Sequence, residues 1–236
     1  LFQATCLQAL KAVLAGKQTA DQAWEIMEAR REELLVSSES SKDLISSMVM
    51  QVLGEPLEKT NTFASVNNEA ATYDHLLEAL KAKDTLLDVM SKGGWVDNFD
   101  ETFCNPWDPK SATGFLQTTE RVRMFEIFVK RAVREHGDAV DDAVFDQIGQ
   151  VRSLLGLTES QGESEVSAVF RPALEKAMNA AAVEMAEEYT PELADNMKER
   201  IQAVIEQYRL SDDTVRDVAF DFYSEAVETI SAKSPA

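Results

Sequence analysis

The chain has 236 residues, 44% hydrophobic and 28% charged, with 42 acidic against 23 basic side chains and a formal net charge of −19. That apolar fraction can fill a core in one or two domains and is too high for the charge to mean global disorder. The negative excess repels phosphate backbones and anionic lipid, so it disfavours nucleic acid and favours basic partners. No run of about 18 apolar residues is present to span a bilayer.

Glycine (9) and proline (6) are scarce and clustered, and elsewhere apolar residues recur at helical spacing. The spacing predicts helices at about 2–15, 19–36, 41–53, 68–91, 117–136, 138–155, 160–182, 191–208 and 212–232. No segment alternates with period two for long enough to make a strand, so the expected fold class is all-α. In the fourth helix Leu76, Leu80, Leu87 and Met90 share a face. It runs into a loop, GGWVDNFDETFCNPWDPKSATGFL, from Gly93 to Leu116. The next helix lies in the one basic stretch, Gln117 to His136, with 3 acidic and 5 basic residues. From Asp138 onward 21 acidic residues face 8 basic ones. Pro172 falls inside the seventh helix and predicts a kink or a restart there.

The helices share an internal register. With Gly16, Gly137 and Thr190 superimposed, Asp21, Asp142 and Asp195 fall together early in a helix. Apolar columns follow at Ala23/Val144/Met197, Met27/Ile148/Ile201, Leu34/Leu155/Tyr208 and Val36/Leu157/Leu210. A hydroxyl comes next at Ser37/Thr158/Ser211, suited to cap the following helix, with Glu159 and Asp212 placed to complement its dipole. The second helix continues with Ile45/Val166/Ala219, Met48/Val169/Phe222, Val49/Phe170/Tyr223, Val52/Ala173/Ala226 and Leu53/Leu174/Val227, the spacing of one buried face. A helix–turn–helix unit with a single apolar face cannot satisfy itself alone, so the units are expected to stack. The architecture expected is an elongated α-solenoid of irregular HEAT-like helix-hairpin repeats. Residues 1–54 form the first unit, 55–116 a helix plus the aromatic and acidic loop, and 117–236 two further units in one continuous solenoid.

Residue types that carry chemistry are sparse. His75 and His136 have no second histidine at helical ligand spacing, and both read as surface or capping side chains. There is no glycine-rich phosphate loop and no serine nucleophile elbow. Cys104, Asn105 and a distant histidine lack the residues that surround a cysteine nucleophile. Cys6 and Cys104 have no metal spacing and suit a reducing compartment, with a single disulfide as the alternative. The carboxylates Asp97, Asp100, Glu101 and Asp108, and those at Asp138, Asp141, Asp142 and Asp146, lack the order of an EF-hand loop. They read as solvated acidity, and the second group as a complement to a helix N-terminus. No catalytic residue, cofactor or metal ligand is therefore assigned. The loop aromatics Trp95, Phe99, Phe103 and Trp107, with Phe115 nearby, fit either a partner-docking surface or a plug between neighbouring helix pairs, the plug leaving less apolar surface exposed. The basic helix, with Arg121, Arg123, Lys130, Arg131 and Arg134, is expected to pair with acidic neighbours within the fold.

The strings QVRSLLGLTESQGESEV, AVLAGKQTADQA and IQAVIEQYRLSDDTVRDVA, each a helix, a short turn and a helix, resemble a recurrent element of the large scaffold subunit of the Tic translocon in the chloroplast inner envelope. The resemblance spans the three repeat units and is one of spacing and turn chemistry. The loop GGWVDNFDETFCNPWDPK has no counterpart in it, as suits a divergent algal member. It implies a carboxy-terminal, stromal-side piece of a plastid inner-envelope protein, anchored through an N-terminal segment outside this chain. The opening at Leu1 rather than Met fits a fragment of a longer protein. The implied role is a non-enzymatic platform for protein import. Its partners would be basic transit peptides of incoming preproteins, stromal chaperones and other translocon subunits, with no nucleic acid. Transit peptides are Arg-rich and poor in acid, so an acidic scaffold would attract them. The alternative is an α-solenoid adaptor for protein–protein interaction in another pathway.

Overall fold

The computed structural model describes residues 1–93, 116–136, 140–187 and 190–233. Among them every regular element is a helix: α1 (Phe2–Leu14), α2 (Ala20–Glu33), α3 (Ser38–Ser65), α4 (Glu69–Ser91), α5 (Thr118–His136), α6 (Asp142–Leu154), α7 (Glu159–Glu187), α8 (Pro191–Gln207) and α9 (Asp212–Lys233). The all-α expectation holds. None of the helices is long and apolar enough, among the described residues, to cross a membrane.

Two expectations about helix ends change. The third helix does not stop near 53 but runs on through Pro56 to Ser65, so the boundary drawn at 54/55 falls inside α3. Leu53, Leu57, Thr60 and Ala64 carry the buried stripe across the proline, and the Thr60 hydroxyl donates to the Pro56 carbonyl at 2.9 Å. Packing of that stripe outweighs the lost backbone hydrogen bond. Likewise α7 does not restart at Pro172, which lies on its exposed side. So does Ala168, whose carbonyl loses its helical partner and can turn to water.

The residues divide into two compact units. The first comprises Leu1–Arg131 with Gly149–Leu157. Within it α3 packs along α4, α1 along α2, and α1 and α2 each also meet the α3–α4 pair. Its core holds Leu10, Met27, Ile45, Leu57, Leu76, Leu86 and Met90, all essentially inaccessible to water. In α4 it is Leu86, not Leu87, that is fully buried, and Leu87 is only half covered. The first part of α5 joins this unit through Phe125 and Phe128, the latter stacked on Tyr73 with ring centroids 4.9 Å apart. The second unit comprises Ala132–Ile148 and Thr158–Ala236. There α7 packs against both α8 and α9. Its core centres on Phe170, buried against Phe145 of α6 and Tyr208 at the end of α8.

The basic helix α5 departs in part from expectation. Arg121 donates to the carbonyls of Leu155 (2.8 Å) and Gly156 (3.1 Å), neutral acceptors at the C-terminal end of α6. A cation there complements the negative end of the helix dipole, and burial holds the guanidinium's pKa below its usual value. Arg123 meets the Asn67 amide oxygen at 2.7 Å, while Lys130 pairs with Glu126 on its own helix.

Candidate functional site: helix turns, filled seats and an exposed face

Three turns share one backbone pattern at matched positions. Leu35, Gly156 and Arg209 all take positive φ, at 53°, 59° and 48°. In each turn the residue after this one donates back five residues along the chain: Val36 to Arg31 (3.0 Å), Leu157 to Arg152 (3.1 Å) and Leu210 to Ile205 (3.1 Å). The positive-φ residue itself donates to Glu32, Ser153 or Glu206. This is the Schellman termination, which satisfies two carbonyls that a helix end leaves unpaired. Two residues after the positive-φ position, Ser37, Thr158 and Ser211 cap the next helix by accepting from the backbone N–H of Ser40, Gln161 and Thr214. The turns at Gly16 and Asn67 use the same termination, but the capping residues, Thr19 and Asn68, follow at other distances.

The starts of the preceding helices are not in register. Asp21 and Asp142 lie in a first turn, but Thr190 caps α8 and Pro191 opens it, so Asp195 falls in the second turn. A strong cap followed by proline at the first helical position sets that start irrespective of the apolar columns.

Two of the three registered aspartates receive a cation from a helix end. Lys92, the C-cap of α4, lies 3.2 Å from Asp21. Beside it Gly93 packs directly on the Trp24 ring, so close that a Cβ would sit 2.3 Å from a ring carbon. In the second unit Arg209, two residues past the end of α8, pairs with Asp142 and spreads its guanidinium over the Phe145 ring, 4.6 Å from the centroid. Trp24 and Phe145 occupy the same register position. The neighbouring Tyr208 stacks on Phe170 with centroids 4.6 Å apart and planes 22° from parallel. The ion pairs are exposed and screened by solvent, so they contribute little to stability. The Tyr208–Phe170 stack carries more, about 0.5–1.5 kcal/mol beyond the buried area.

At the third position the face is open. Tyr223, in the column of Val49 and Phe170, is 67% exposed, and Phe220, one turn earlier on α9, is 70% exposed. Tyr223 was expected on a buried face; among the described residues no element covers it as Tyr208 covers Phe170. A cleft of about 420 Å³ runs beside these residues between α7 and α9, lined by Arg171, Glu175, Asn179, Phe222 and Asp221, with Arg171 paired to both Glu175 and Asp221.

The residues considered for chemistry are accounted for as follows. Trp95, Phe99, Phe103, Trp107, Phe115 and Cys104, with the loop carboxylates, lie outside the described residues. His75 pairs with Glu78 at 2.7 Å and stacks on Phe63. Asp141 caps α6, accepting from the Val144 N–H at 3.1 Å, in keeping with a carboxylate at a helix start. Cys6 is a free thiol within the first core, its pKa pushed by burial to about 11. Among the described residues no three His, Cys, Asp or Glu side chains converge as a metal site. No protein-family model, curated protein or solved structure matches this chain.

Proposed function

We propose that this chain is a non-enzymatic, protein-binding scaffold built as a solenoid of stacked helix hairpins. The observation that carries the reading is the turn shared by Leu35, Gly156 and Arg209, with its hydroxyl cap two residues on. Units joined by one turn geometry present equivalent faces at regular intervals, and such faces bind other proteins' segments. The charge of −19 selects basic segments among them.

In its specific form, the scaffold is the stromal-side platform of plastid protein import, at the inner envelope. That step rests on the resemblance of the three helix–turn–helix strings. Its partners are basic transit peptides, stromal chaperones and other translocon subunits. An adaptor from another pathway would keep the fold and the acidity but not the partner class.

The test is a titration of the full chain into a fluorescent Arg- and Ser-rich transit peptide, with a peptide of the same length bearing Glu for Arg as control. Saturable binding of the basic peptide alone, weakening as salt rises from about 50 to 500 mM, is expected. Equal binding of both peptides, or salt-independent affinity, overturns the reading.

A further inference from the structure

We draw no further inference here: the strongest candidate, the cleft between α7 and α9 lined by Arg171, Glu175 and Asp221, carries nothing, because Arg171 is already paired with both carboxylates and nothing among the described residues shows what covers the cleft.

Discussion

Replacing Leu35 by glycine should stabilise the protein. Leu35 holds φ at 53° and is 92% exposed, so it bears the left-handed backbone without any burial to offset it. An L-residue in that region costs about 1–2 kcal/mol. Glycine removes the strain but loses about 0.5–1 kcal/mol more backbone entropy on folding. The net expectation for Leu35→Gly is a gain of roughly 0.5–1 kcal/mol, or about 1–4 °C in Tm for a chain of this size. The reverse change isolates the same quantity at Gly16, where φ is 66° and a Cβ would meet nothing within 4 Å. Gly16→Ala should therefore cost about 1 kcal/mol through backbone strain alone. Urea denaturation followed by circular dichroism, with Tm measured in parallel, gives both values. Loss of stability in Leu35→Gly, or no change in Gly16→Ala, would refute the account of these turns.

Phe170→Ala removes a ring buried between Phe145 and Tyr208 and should destabilise the second unit by about 3–5 kcal/mol, seen as a shifted urea midpoint. Tyr223→Ala, in the same column but exposed, should change stability by less than about 0.5 kcal/mol. Cys6 makes stability fall at alkaline pH. Its folded pKa of about 11 lies above the unfolded value of 9.0, so its contribution is complete below pH 9 and is lost as pH rises towards 11. Urea titrations from pH 8 to 11 should show that decline, and Cys6→Ala should flatten it. At pH 8, in a Cys104→Ser background, Cys6 should react with a thiol reagent only on unfolding.

What the sequence revealed was local. A helix termination and a hydroxyl cap are decided within six residues, so Ser37, Thr158 and Ser211 could be placed as caps from spacing alone. The all-α class was legible for the same reason, since apolar periodicity is a property of each helix by itself. Contacts between helices were not legible. Nothing in the spacing says that Arg209 would reach Asp142 and Phe145, or that Lys92 would reach Asp21, because those partners are 64 and more residues apart. The spacing ended the third helix near residue 53, whereas the stripe continuing at Leu57, Thr60 and Ala64 carries it on through Pro56. Tyr223 shows the limit most clearly. A shared column predicts the same residue class, but burial requires a neighbour, and α9 has none over that ring among the described residues. The sequence directed attention to Trp95, Phe99, Phe103 and Trp107, while the exposed aromatics that the structure describes are Phe220 and Tyr223. Their signal was present as the replacement of two buried serines by Phe220, a change from small to large in a repeated column.

The most direct test of the scaffold account is hydrogen exchange, read by mass spectrometry, on the full chain with and without saturating basic transit peptide. The account predicts slowed exchange in helices of the three matched segments, α2–α3, α6–α7 and α8–α9. Exchange unchanged in all three at saturating peptide would contradict it.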